Sequence, residues 1–244
     1  MMTLIRLSPL FFLLACSPTA EDDAGSSDAG TDADPMLTDA DGDGYSDGEE
    51  LDAGSDPDNG FDWPQGSGNW PDFSDEAAAA GVIGEGFGIG EEIPDILLTD
   101  QFDQPLSLYQ YYGFVILLDV SAGWCNPCNA VAGHAEAVYQ THREDGFVLI
   151  HIMLDGWVEE TPADMTFLTE WAQTHGLSFP LTSEVGQDGD PNFAVNQLRY
   201  AGTLVGGIPN FILIDRDMRI DFADAGYDDE GVLARVAELV SGSD

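Results

Sequence analysis

The chain contains no lysine. Its basic residues are six arginines (Arg6, Arg143, Arg199, Arg216, Arg219, Arg235) against 46 Asp and Glu, a formal net charge of -40 with pI ≈ 4.1. Such a surface repels phosphate backbones and anionic headgroups, which argues against nucleic acid as a partner. It names no partner itself, because salt adaptation, calcium buffering and solubility all produce the same balance. Cysteine is scarce as well: Cys16, Cys125 and Cys128. An odd count of three excludes a disulfide framework and leaves one cysteine needing its own explanation. No apolar run is long enough to span a bilayer; Leu7 to Cys16 fits the h-region of a signal peptide. What remains, 244 residues at 43% hydrophobic content, suffices for one well-packed domain with additions.

Leu13-Leu14-Ala15-Cys16 resembles the bacterial lipobox, in which the cysteine is lipidated and becomes the first mature residue. The alternative is an ordinary signal peptide with Cys16 incidental. Ser17 after the cysteine is similar to lipoproteins sorted to the outer membrane, so the expectation is a lipid-anchored cell-envelope protein. Several acyl chains give the stable anchoring that one cannot, and export places cysteines where disulfide chemistry operates. Residues 1–15 thus read as signal peptide and 16–38 as a lipidated acidic tether, too poor in large apolar residues to fold.

Residues 39–58 read as a calcium-binding segment. In Asp39-Ala40-Asp41-Gly42-Asp43-Gly44-Tyr45-Ser46-Asp47-Gly48-Glu49-Glu50, oxygen donors fall at loop positions 1, 3, 5, 9 and 12, with glycine at 6. Asp39, Asp41, Asp43, Asp47 and Glu50 would ligate through carboxylates and Tyr45 through its carbonyl. A chance match in an Asp/Gly-rich spacer is the competing reading; the closing Glu50 weighs against it. No entering helix precedes Asp39, and the continuation to Pro57 looks like a single thrombospondin type 3-like repeat. Such a lone loop is expected to bind Ca²⁺ weakly, at roughly 10⁻⁴–10⁻³ M, and to stiffen the tether. Residues 59–84 form a Gly/Trp/Pro connector whose Trp63 and Trp70 are expected to dock on the following domain, since exposed indoles are disfavoured. Ala77 to Ala80 suggests a short helical turn.

Residues 85–244 carry the chemistry. Phe114 to Val120 is a buried-strand pattern interrupted by Asp119, and it runs into Trp124-Cys125-Asn126-Pro127-Cys128 at the mouth of a helix expected over 125–143. A thiolate there faces free backbone N–H groups and the positive end of the helix dipole, which makes it a nucleophile. A second cysteine three residues on can close a disulfide by exchange. Half a zinc site would need further ligands, and no second pair of cysteines exists in the sequence. A structural disulfide would close too short a loop to stabilise much. A second buried strand over 147–154 completes a right-handed βαβ unit. Thr161-Pro162-Ala163-Asp164 reads as a helix start with Thr161 as cap, running to His175. A further helix is expected over 190–200, a hairpin around Arg216-Asp217-Met218, and a last helix capped by Asp228. Ile96-Leu98 and Pro105-Leu108 form an earlier hairpin-like pair.

These residues resemble the thioredoxin family. Leu117 to Cys128 matches its active-site strand and motif; Gly206-Gly207-Ile208-Pro209 and the strand after it look like the cis-proline loop. Gly90 to Asp95 and Gln104 to Leu108 are similar to the opening of the TlpA/ResA-type "redoxin" branch. The resemblance implies an α/β thioredoxin-like sandwich with a central mixed sheet and an insertion before the cis-proline loop. It implies that Cys125 attacks and Cys128 resolves, and that Asp119 exchanges the Cys128 proton through water. A merely satisfied polar residue at a strand end is the alternative for Asp119. By the same resemblance Pro209 is cis, Ile208 pairs its backbone with substrate, and Trp124 shapes the surface beside Cys125. The redox chemistry needs no cofactor; the partners implied are protein disulfides or dithiols and a membrane electron donor. His134, two and a half turns past Cys125, is expected away from the chemistry, and His142, His151 and His175 to be structural.

Three functions compete: an envelope thiol–disulfide oxidoreductase that reduces protein disulfides, a peroxiredoxin-like peroxidase, and a non-catalytic calcium-dependent surface lipoprotein. Peroxiredoxins resemble Pro-x-x-x-Thr/Ser-x-x-Cys; the matching positions here are Leu118 and Ala122. Copper-delivery relatives carry a wider cysteine pair with a partnering histidine. An intact, accessible dithiol speaks against the binding module.

Overall fold

The computed structural model describes residues 36, 38–65, 68, 70–184, 196, 198, 206–225 and 229–242. The lipobox with Cys16, nearly all of the tether, Asp228 and almost all of the expected 190–200 helix lie outside them.

The centre is β3 (Val115–Ser121), all of whose seven residues are buried. Its near-continuous apolar run suits a strand covered on both faces. After α3 (Asn126–His142) the chain returns in β4 (Phe147–Met153), also buried throughout. β4 lies parallel to β3, with Val115 opposite Phe147 and Asp119 opposite His151. β5 (Leu181–Ser183) adds in parallel beside β4; β6 (Asn210–Ile214) and β7 (Ile220–Ala225) add antiparallel on the other side. Among the described residues the sheet order is β5-β4-β3-β6-β7, the expected mixed thioredoxin-like sheet. A separate hairpin of β1 (Leu97–Thr99) and β2 (Pro105–Ser107) is the pair expected around Asp100.

The alternation of side chains divides the core into two layers. Val115, Leu117, Leu149, Met153, Phe211 and Leu213 face α3, α4 (Met165–His175) and α5 (Asp229–Ser241). On the opposite face, Ile116, Leu118, Val120, Ile150 and Ile212 meet a cover made largely from residues upstream of β3. That cover includes Tyr45 of the acidic loop, Trp63, Ile93, Ile96 and Tyr111. Trp63 is 1% exposed and stands edge-on to Phe114, with ring centroids 5.8 Å apart. Phe61 approaches the same ring at 4.8 Å, Asp62 pairs with Arg143 at 2.6 Å, and Trp70 donates its indole N–H to buried Asp100 at 2.7 Å. Both connector tryptophans dock on the domain, and the segment serves as an outer layer of the sandwich. Without it one face of the sheet would lose much of its cover.

Three helices refine the sequence reading. α1 (Asp47–Ala53) leaves the acidic loop with Ser46 and Glu49 in a capping box, and α2 (Ser74–Ala80) is the expected alanine turn, extended at its start. α4 begins three residues later than expected. Asp164, not Thr161, is its cap, accepting the Phe167 N–H at 2.9 Å, while Thr161 Oγ1 turns back onto the Val158 carbonyl. Pro162 is held in a bridge to Asp155, which keeps it out of the helix.

Candidate functional site

Cys125 is the N-cap of α3 and has extended backbone, φ -79 and ψ 110. Its Sγ accepts the Cys128 N–H at 3.2 Å, so one unpaired helix donor already points at the sulfur. Pro127 lies in the first helical turn, where its missing N–H costs no hydrogen bond. The two sulfurs are joined, with Cα atoms 5.2 Å apart. Cys125 is 4% exposed and Cys128 fully buried, so the pair is more covered than the sequence suggested.

The cover comes partly from the loop before β6. The Ile208–Pro209 peptide is cis, and the Ile208 carbonyl oxygen lies 3.9 Å from Cys125 Sγ. Gly206 and Gly207 precede it at φ +83 and +136, a region that L side chains rarely adopt. On the other side, Gly123 lets the chain pass the β4–α4 loop: a Cβ there would sit 2.6 Å from the Gly156 carbonyl oxygen. Trp124 is 40% exposed, and its indole donates to Asp155 Oδ2 at 2.8 Å. The structure therefore gathers Trp124, Cys125, Cys128, Ile208 and Pro209 at one end of the sheet.

Asp119 is 1% exposed on the α3 side of β3. Oδ1 accepts the Ser121 hydroxyl at 2.6 Å, and Oδ2 lies 3.2 Å from His151 Nε2, itself fully buried. His151 Nδ1 accepts the Trp171 indole N–H at 3.3 Å; Nε2 and Asp119 Oδ2, though close, are not aligned as a hydrogen bond. A cavity of about 40 Å³, lined by Asp119, Val131, His134 and Ala135 among others, reaches this carboxylate. It has room for water. His134 thus lies away from the Cys125 end of α3, yet lines the same cavity as Asp119. The proximity of His151 follows from its phase: Asp119 and His151 are each the fifth residue of adjacent parallel strands, and so share a face.

The acidic loop forms a second candidate site. Carboxylate oxygens of Asp39, Asp41 and Asp43 lie within 4.8 Å of one another. Glu50 is fully buried, and both its side-chain oxygens, with Asp41 Oδ2 and Asp43 Oδ2, are buried without a hydrogen-bond partner. Burial, then repulsion from Asp41, Asp43 and Asp39, pushes Glu50 up to about 7. Burial likewise pushes Asp43 up to about 6, against the Tyr45 N–H it accepts. Buried, mutually repelling carboxylates with orphaned oxygens suit a hard cation taking oxygen ligands. Asp47 is different: Oδ2 accepts from Thr38 Oγ1 at 2.6 Å and Oδ1 from the Ala40 N–H, so it braces the loop. The Tyr45 ring belongs to the main core.

Residues 39–59 match the model of the bacterial TSP3 repeat. The thiol-disulfide oxidoreductases ResA of Bacillus thuringiensis (strain Al Hakam) and Bacillus anthracis are each 27% identical over 133 residues, 54% of this chain. The match spans 66% of those relatives' length. Among solved structures, a putative thiol:disulfide interchange protein DsbE from Chlorobium tepidum superposes with TM-score 0.50 at 21% identity, covering 64% of this chain and 98% of its own. A secreted thiol-disulfide isomerase from Corynebacterium glutamicum gives 0.51 at 17% identity, covering 62% and 86%. These likenesses establish the thioredoxin-like fold. Residues 89–223, more than half of the 244, match the model of the AhpC/TSA family, with the cysteine pair inside that stretch, and the chain belongs to the AhpC/TSA family.

Proposed function

We propose that this chain is a cell-envelope thiol–disulfide oxidoreductase that reduces protein disulfides. The observation that carries the reading is the closed Cys125–Cys128 pair at the start of α3, with a backbone carbonyl, that of Ile208, beside the outer sulfur. In the reduced enzyme Cys125 thiolate attacks one sulfur of a substrate disulfide, and the other leaves as a thiolate that takes a proton. Cys128 then loses its proton and attacks Cys125 Sγ. The internal disulfide forms and the second substrate thiol departs, two electrons having passed to substrate. Asp119 receives the Cys128 proton through water, with the Ser121 hydroxyl fixing the carboxylate and His151 beside it. The Ile208 carbonyl and its neighbours hold the substrate backbone as an added strand, and Trp124 flanks the entry.

A peroxidase is the weaker reading. The positions where a peroxiredoxin resembles Pro and Thr/Ser are buried Leu118 and Ala122, which offer a peroxide no polar side chain. Arg143, Arg216, Arg219 and Arg235 are committed to other carboxylates or carbonyls.

Asp39, Asp41, Asp43 and Glu50 would hold Ca²⁺, with the Tyr45 carbonyl contributing and Asp47 bracing the loop; the ion would serve structure. Cys16 would carry the lipid that anchors the chain at the outer membrane, and a membrane dithiol donor would return the electrons. The reading is tested with Cys128→Ser in the full chain, which should accumulate a mixed disulfide with substrate proteins through Cys125. Cys125→Ser should trap none. Equal trapping by both variants would defeat the assigned order of attack.

A further inference from the structure

Between the β4–α4 loop and the first turns of α4 lies an open concavity of about 370 Å³, within the range of ligand sites. Trp157, Val158, Pro162, Phe167, Asp164 and Glu170 contribute to its lining. It adjoins the redox site directly. Gly156, on its wall, packs on Gly123, two residues before Cys125, and Asp155 just before it takes the Trp124 indole N–H.

Two features set its chemistry. The first is a fixed aromatic platform. Trp157 remains 40% exposed although it is held on several sides. Its indole N–H donates to Glu170 Oε2 at 2.9 Å, and its ring packs against Phe167 and Trp171 at 5.2 and 5.5 Å between centroids. Val158, 63% exposed, and Trp124 extend the apolar surface. The second is charge. Asp164 and Glu170 line the concavity, Glu159 and Glu160 stand exposed on the same loop, and its residues 155–164 include no basic side chain. Aromatic faces beside carboxylates are the chemistry that recognises a guanidinium or ammonium group.

We propose that this concavity binds an extended segment of the substrate protein bearing an arginine or lysine next to a large apolar residue, close to the substrate's reactive disulfide. The cation lies over Trp157 within reach of the loop carboxylates, and the apolar neighbour covers Val158 and Trp124. The segment continues the strand-like contact at Ile208, so specificity comes from side chains on one flank of Cys125 and the backbone pairing from the other. The proposal rests on the oxidoreductase reading and names its substrate class.

The test uses the full chain, pre-reduced, with disulfide peptides identical except for an Arg-Phe, Gln-Phe or Glu-Phe flank. Hydroxyethyl disulfide serves as a flankless substrate. Second-order rates of oxidation of the chain are followed. The Arg-Phe peptide should react roughly tenfold faster than Gln-Phe, the scale of one partly desolvated cation–aromatic contact, and Glu-Phe slowest. Trp157→Ala should remove that preference, read as the ratio of each peptide's rate to the hydroxyethyl disulfide rate of the same variant. The surface pair Glu159→Gln with Glu160→Gln should weaken it without touching the core. Asp75→Asn with Glu76→Gln, on α2, should leave it intact. No flank preference, or one that survives the loop variants or falls equally with the α2 pair, overturns the proposal. Failure to reduce hydroxyethyl disulfide at all would instead remove the redox reading beneath it.

Discussion

With no cation in the acidic loop, the stability of this protein should depend on pH in a direction opposite to that of most salt-bridged acids, and the proposed calcium should remove that dependence. Glu50, ordinarily near 4.5, is pushed up to about 7, and Asp43, ordinarily near 3.8, to about 6. Both therefore hold protons more tightly folded than unfolded. Between pH about 4 and 7 the folded chain binds more protons than the unfolded one, so calcium-free stability falls as pH rises through that window. At about 1.4 kcal/mol per pH unit, Glu50 alone costs the calcium-free fold about 3 kcal/mol at neutral pH. Tyr45 anchors the loop in the core shared with β3 and β4, so the cost is felt by the whole domain. For a chain of this size that is a fall in Tm of roughly 6–12 °C. Calcium at a hundred times its Kd would return about 2.7 kcal/mol. The assay is calorimetry of the full chain at pH 5, 6 and 7, metal-free and with millimolar Ca²⁺. The metal-free Tm should drop across the series and the calcium-loaded Tm should hold. Glu50→Gln should flatten the metal-free profile and reduce the response to calcium. A metal-free Tm that is level or rises from pH 5 to 7, or an unchanged response in Glu50→Gln, would refute this reasoning.

Other consequences follow from the same contacts. Trp63→Ala should destabilise the domain by about 3–5 kcal/mol, as for a buried aromatic truncated to alanine, measured by urea unfolding; a loss under 1 kcal/mol would mean the connector is not part of the core. Asp119→Asn should slow resolution of the mixed disulfide by roughly 10²-fold, the lower end of what a positioned acid–base group contributes, while the first attack by Cys125 is little changed; rapid-quench trapping separates the two steps. His151→Ala should slow the same step by less and alter its pH profile, with His151→Gln partly restoring it, because glutamine keeps a polar N–H group beside Asp119. Equal slowing of both steps would mark His151 as structural only.

The central strand, the cysteine pair and the cis-proline loop were readable because each has a local signature: an apolar run, a fixed spacing, a Gly-Gly-x-Pro turn. The long-range parts were not. Residues 59–84 look like a linker from their Gly, Ser and Pro, yet Phe61, Trp63 and Trp70 supply part of a layer that the sheet lacks on that face. Composition reports chain entropy, and three aromatics at the right places can outweigh it. For His151 the sequence suggests only a structural role; its neighbourhood depends on strand register, which brings it within 3.2 Å of Asp119. The α4 cap shifted from Thr161 to Asp164 because Pro162 is tied to Asp155, a contact no local pattern encodes. The same contact shapes the concavity beside Trp157.

The most direct test of the account is the reduction potential of the Cys125–Cys128 pair. It should be measured in the full chain, since the segment before residue 85 is built into the core, by equilibration in dithiothreitol buffers. A reversible two-electron couple near the thioredoxin value, about -270 mV, is the predicted result. A value near about -120 mV would contradict the assigned direction and make the chain an oxidant. No reversible couple at all would contradict the oxidoreductase itself.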